Sequence, residues 1–130
     1  MSQILIVEDE ERLAAFIDKG LRKHGYSTTI AGDGEQALRI AQEDSFDLML
    51  LDLGLPVVDG WMVLKELRQQ GEKRPIIVVT ARKDEQEKAF AFGNGATDFV
   101  TKPFRFSDLL ECIQTHLMTQ CPDDCATSTD

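Results

Sequence analysis

The chain has 130 residues, 42% hydrophobic and 28% charged, with a formal net charge of −9 at pH 7, the size and balance of one globular domain with an apolar core. Acidity of this degree argues against tight binding to nucleic acid, which needs clustered Lys and Arg, and against an anionic membrane surface. No apolar run reaches the length of a membrane span and no signal-type leader precedes the first one, so the expected location is cytoplasmic.

In chain order, "ILIV" (4–7) is apolar at every position, as a strand covered on both faces should be. Leu13, Phe16, Ile17 and Leu21 then recur at helical spacing, and Gly25 marks the stop. "STTIA" (27–31) is short and rich in β-branched residues and reads as an edge strand. "GDGEQALRIAQED" opens on turn residues and continues as a second helix through Ala37, Leu38, Ile40 and Ala41. "FDLMLLD" (46–52) is a third, buried strand ending in a carboxylate, and "GLPVVDG" (54–60) is a loop. "WMVLKELRQQG" is a helix closed by Gly71, and Pro75 introduces the strand "IIVVT" (76–80). Residues 84–92 read as a fourth helix and "TDFVT" (97–101) as a fifth strand. "FSDLLECIQTHLM" is a fifth helix with Ser107 as its N-cap. The stretch 120–130 is polar, without periodicity, and is expected to be a flexible tail on a single domain spanning 1–119.

Alternation of this kind predicts an α/β fold: a doubly wound, five-stranded parallel sheet with helices on both faces. The flavodoxin-like strand order 2-1-3-4-5 is the usual one, with the ligand beyond the carboxyl ends of strands 1 and 3. Glu8 and Asp9 follow strand 1, Asp52 ends strand 3, Thr80 ends strand 4, and Lys102 follows strand 5. These ends share one rim, so the residues should converge on one pocket. Three carboxylates together repel unless compensated. Lys102 supplies one positive charge, and a small hard cation with oxygen ligands, Mg²⁺, supplies more. Mg²⁺ held by few protein ligands commonly shares them with a phosphoryl group, which Thr80 and Lys102 are placed to contact. Asp52, at the end of the central strand, is then the candidate nucleophile.

Taken singly, each residue has an ordinary reading. Glu8 is a solvated strand-end charge, Asp52 caps a turn, Thr80 is a strand residue, Lys102 is surface and Phe99 is core. Their joint pattern is what points to chemistry. Cys112 and His116 stand four apart on the last predicted helix, with Cys121 and Cys125 following. They can be drawn as a zinc cluster, but the spacing fits no common finger. A half-buried Cys followed by two thiols in a loose tail is the expectation.

"ILIVEDE", "DLMLLDLGLPVVDG", "IIVVTA" and "GATDFVTKPF" together resemble the receiver domain of two-component response regulators, over residues 3 to about 119. The resemblance implies that Asp52 accepts a phosphoryl group from a histidine kinase or histidine phosphotransfer protein. It implies that Asp9 binds Mg²⁺ directly, Glu8 through water, and Gly54 through its carbonyl. Ala81 would donate its backbone N–H, Lys102 would contact the phosphoryl group, and Lys102–Pro103 would be a cis peptide. Thr80 and Phe99 would be the switch pair, altering the surface of the fourth helix, fifth strand and fifth helix toward an output domain or downstream protein. The chain would catalyse only its own phosphorylation and dephosphorylation and is not expected to be an enzyme acting on a metabolite.

"DLGLP" and "TKPF" lean toward the subfamily whose receivers precede a winged-helix DNA-binding domain, absent from these 130 residues. In that subfamily the same surface pairs receivers through ion pairs, of which Lys88 and Asp108 fit one. Asn94, Cys112 and Thr119 stand where charge is usual, Asp98 lacks its expected basic partner, and the fifth helix has no Lys or Arg. A weak or phosphorylation-dependent dimer is therefore the expectation. Three other functions compete. An aspartyl phosphatase needs a second acid two residues after the nucleophile, where Gly54 stands. A scaffold that signals without phosphorylation has no use for the complete acidic set. A flavin carrier shares the fold, but the loop after strand 1 lacks phosphate-cradling Ser, Thr and Gly.

Overall fold

The computed structural model describes residues 2–43, 46–53, 60–80, 93 and 95–119. Five strands, β1 (Gln3–Val7), β2 (Ser27–Ala31), β3 (Leu48–Asp52), β4 (Ile76–Thr80) and β5 (Asp98–Thr101), form one sheet in the order 2-1-3-4-5. Every pairing is parallel. Helices α1 (Glu11–Lys23), α2 (Gly34–Glu43), α3 (Gly60–Gln69) and α4 (Phe106–Thr119) complete the described elements. The helix expected over 84–92 and the tail 120–130 lie outside the described residues. No helix among the described residues is long and apolar enough to cross a membrane.

Successive strand side chains point to opposite faces, so an all-apolar strand feeds two cores at once. Leu5, Val7, Met49, Leu51, Ile76 and Val78 pack on one side with Val63, Leu64 and Leu67 of α3 and Ala37 and Ala41 of α2. Ile4, Ile6, Leu48, Leu50 and Ile77 pack on the other with Ile17 and Leu21 of α1 and Leu109 and Ile113 of α4. This is why "ILIV" and "LMLL" carry no polar position: both faces are covered.

Helix ends follow local chemistry. Gly25 and Gly71 take positive φ (88° and 90°) just past α1 and α3, the left-handed conformation that glycine adopts without strain. The Asp33 carboxylate accepts the Gln36 N–H at 2.8 Å and so caps α2. The last helix starts at Phe106, with the Asp108 and Leu109 N–H groups bonded to the Arg105 carbonyl. Ser107 is therefore inside the first turn and not the N-cap.

Two arginines tie the loop between α3 and β4 to the sheet. Arg68 donates to the carbonyls of Gly95 (2.8 Å), Glu72 (2.7 Å) and Arg74 (2.9 Å). Arg74 lies 3.9 Å over the Phe46 ring, donates to the Phe46 carbonyl at 2.8 Å and grips Glu72 through Nε at 2.7 Å. The Arg74 side-chain bond, with the Arg74 backbone N–H and charge behind it, outweighs burial and holds the Glu72 carboxyl below its ordinary 4.5. A depressed folded-state value means stability present above pH 4.5 and lost as pH falls through the folded value. Glu72→Gln should cost about 1 kcal/mol in neutral urea melts and close to nothing in strong acid. An equal cost at both pH values would contradict the ion pair.

Candidate functional site

The rim at the carboxyl ends of the strands is built by register. Val7 pairs with Leu51 and with Ala31, so the chain leaves β1 and β3 at the same level. Glu8 comes next on β1 and Asp52 next on β3. The Glu8 N–H still bonds to the Ala31 carbonyl at 3.0 Å, which extends the ladder by one residue and turns the side chain into the pocket. Thr80 pairs with Thr101 at the ends of β4 and β5, and the Lys102 N–H donates to the Thr80 carbonyl at 2.7 Å. Lys102–Pro103 is cis, as expected.

Carboxylate oxygens of Glu8, Asp9 and Asp52 lie within 4.8 Å of one another. Lys102 Nζ stands 3.3 Å from Glu8 Oε1 and 3.5 Å from Asp52 Oδ2. Glu8, Asp52 and Thr80 are buried, at 4%, 7% and 4% exposure, whereas Asp9 is exposed. The convergence expected from four separate strand ends is therefore observed for Glu8, Asp9, Asp52 and Lys102. Thr80 is buried at the adjacent strand end, and Phe99 is half-buried against the core shared with α2 and α3. Gly54, Ala81, Lys88 and Asn94 lie outside the described residues.

Burial and the neighbouring Asp52 charge push the Glu8 carboxyl up from 4.5 to about 7. The Glu10 N–H (3.2 Å) and Lys102 pull against this without cancelling it. Two buried carboxylates and one exposed carboxylate facing a single ammonium leave an excess of negative charge. The donor set is all oxygen and opens to solvent at Asp9. It suits a small, hard, partly hydrated dication and gives no soft ligand to zinc or copper. Magnesium fits these residues.

Gly60 sets the approach of α3 to this rim. Its N–H donates to the Leu53 carbonyl at 3.0 Å, and a Cβ there would collide with the Asp52 carbonyl and Leu53 Cα. Gly60 opens α3, as a turn and helix start should, and its need for glycine comes from helix–strand contact. Beside Lys102 runs an apolar groove of about 400 Å³ lined by Glu10, Leu13, Phe16, Lys102, Pro103 and Phe104. Phe16 is 51% exposed there. Helical spacing placed Phe16 among core residues, but it lies on the outer flank of the α1 stripe.

A second cluster lies within the chain: His116 Nε2 stands 2.7 Å from Asp98 Oδ2, and the Cys112 thiol donates to the same oxygen at 3.2 Å. Burial disfavours the Asp98 carboxylate most, but the His116, Phe99 N–H and Cys112 hydrogen bonds together bring it below its ordinary 3.8. Burial first, then Asp98, pushes the Cys112 thiol up to about 12.

Residues 4–114 match the response regulator receiver domain. The chain is 40% identical over 120 residues to the response regulator ArlR of Staphylococcus saprophyticus, covering 92% of this chain and 54% of that protein. It is 35% identical over 117 residues to the transcriptional regulatory protein PcoR of Escherichia coli, covering 90% and 52%. The chain thus spans about half the length of these curated relatives. Among solved structures, it resembles the receiver domain of the sensor histidine kinase PA1611 from Pseudomonas aeruginosa, which was determined with a magnesium ion coordinated in its active-site cleft. That match has a TM-score of 0.82 and 34% identity, and it covers 89% of this chain and 97% of that one.

Proposed function

The chain belongs to the response regulator receiver family, and from that membership we propose that it is a phosphoryl-accepting signalling switch whose acceptor is Asp52. The observation that carries the proposal is the convergence of Glu8, Asp9 and Asp52 with Lys102 bridging Glu8 and Asp52. The donor is a phosphohistidine on a histidine kinase or histidine phosphotransfer protein. An Asp52 carboxylate oxygen attacks phosphorus in line, the P–N bond breaks, and the imidazole nitrogen leaves with the electron pair. Lys102 is held where it can neutralise the transferring phosphoryl oxygens. Asp9 and Asp52 would hold Mg²⁺ directly, Glu8 through water and Gly54 by its carbonyl. When bound, Mg²⁺ supplies charge neutralisation between Asp52 and the phosphoryl group.

The Ala81 N–H and the Thr80 hydroxyl would take up the other phosphoryl oxygens. Drawing Thr80 inward would let Phe99 turn inward beside it on β5, and the surface of residues 84–92, β5 and α4 would change its affinity for an output domain or second copy. The relatives' greater length fits an output domain, of the winged-helix type in the subfamily this chain resembles. The groove of Leu13, Phe16, Pro103 and Phe104 borders Lys102 and fits the apolar flank of a helix that presents the donor histidine. The chain would turn over no metabolite, and its working compartment would be the cytoplasm.

Incubation with a small acyl phosphate and Mg²⁺, followed by intact mass measurement and peptide mapping, tests the proposal. A gain of one phosphoryl group at Asp52 is expected. An unchanged mass would leave a scaffold that signals without phosphorylation.

A further inference from the structure

The Asp98, Cys112 and His116 side chains lie away from the acidic rim and are not used by the mechanism above. Cys112 and His116 are four apart on α4 and share one helical face. Asp98 opens β5 and faces them. One oxygen, Oδ1, accepts the Phe99 N–H at 2.8 Å, which fixes the carboxylate plane. The other, Oδ2, receives both the Cys112 thiol at 3.2 Å and His116 Nε2 at 2.7 Å. Donor atoms of all three residues lie within 4.8 Å of one another. We propose that Asp98, Cys112 and His116 form a zinc-binding site that joins β5 to α4.

Geometry and ligand type both support this. Zinc bonds of roughly 2.0 Å to nitrogen and oxygen and 2.3 Å to sulfur, at tetrahedral angles, put O and N about 3.3 Å apart and O and S about 3.5 Å apart. The structure's 2.7 and 3.2 Å need to open by about 0.6 and 0.3 Å to reach those values. One oxygen that gathers two hydrogen bonds is where a single dication replaces two shared protons. On binding, the Cys112 thiol releases its proton to the buffer and His116 presents an unprotonated Nε2. The mixed S, N, O set selects a borderline metal over Mg²⁺, unlike the all-oxygen rim. The Asp98 and His116 side chains are 39% and 19% exposed, which leaves an entry path and a fourth position for water. The Phe99 N–H bond to Asp98 is the outer support that metal-ligating carboxylates commonly have.

The test uses the full chain carrying Cys121→Ser and Cys125→Ser, so that the tail thiols cannot bind metal, with excess Mg²⁺ to occupy the rim. Titration with Co²⁺ should give one equivalent with thiolate-to-cobalt charge-transfer absorption, reversed by Zn²⁺. Cys112→Ser should abolish that absorption, and Asp98→Asn and His116→Ala should each weaken zinc binding at least about tenfold. Circular dichroism and thermal melts of each variant establish that it is folded. The proposal is overturned if no thiolate absorption appears. It is equally overturned if zinc binding survives Cys112→Ser unchanged and is removed by Asp52→Asn, which would place the metal at the acidic rim. Failure here leaves phosphorylation at Asp52 untouched, because the two sites share no residue.

Discussion

Asp52→Asn is expected to abolish phosphoryl acceptance and, in the same protein without Mg²⁺, to raise stability at neutral pH. The loss is complete because the amide has no carboxylate oxygen to form the acyl phosphate. The gain follows from the rim's charge balance. Glu8 and Asp52 are both buried and share one ammonium. The Asp52 charge is the second-largest cause lifting the Glu8 carboxyl, after burial. Removing that charge lets Lys102 serve Glu8 alone at 3.3 Å, and should add about 1–2 kcal/mol to unfolding in Mg²⁺-free urea melts. Intact mass after acyl phosphate treatment and the urea midpoint are read on the same sample. A variant that still gains a phosphoryl group removes Asp52 as acceptor. One that is destabilised at neutral pH shows that the Lys102 pair outweighs the repulsion.

The second large effect is a stability that falls as the solution becomes less acidic. Folded Glu8 titrates at about 7 against an ordinary 4.5. Below pH 4.5 both folded and unfolded chains hold this proton, and Glu8 contributes no difference. Between 4.5 and about 7 the folded chain keeps it and the unfolded chain has released it. The folded state then binds more protons, so stability drops as pH rises through that window, and the full cost stands above it. The expected cost is on the order of 1–3 kcal/mol, and Glu8→Gln should remove most of it. Mg²⁺ should therefore raise the melting temperature more at about pH 8 than at about pH 5.5, since carboxylates must be ionised to bind it. Equal Mg²⁺ stabilisation at both pH values, or a pH dependence unchanged by Glu8→Gln, would show that Glu8 ionises normally.

Sequence alone determined those features whose physical cause is local. A strand with both faces covered must be apolar at every position, so β1, β3 and β4 announce themselves in "ILIV", "LMLL" and "IIVV". Parallel strands joined by right-handed crossovers leave few strand orders, and the order brings Glu8, Asp9, Asp52 and Lys102 to one rim. Glycines past α1 and α3 punctuate the chain for the same local reason. Tertiary structure decided what depends on two elements meeting at a given angle. Asp98 and His116 are 18 residues apart, and no periodicity relates a strand's first residue to a helix's last turn. Arg74 reaches Phe46 across 28 residues because the α3–β4 loop packs against the residue that leads into β3. Gly60 must be glycine because α3 presses on the Asp52 carbonyl, and Phe16 lies exposed because its helical stripe is wider than the face that β1 and α4 cover. Backbone preference and burial act residue by residue and leave a trace in the order of the chain. A contact between distant side chains depends on a distance in space, which exists only once the sheet and its helices have packed.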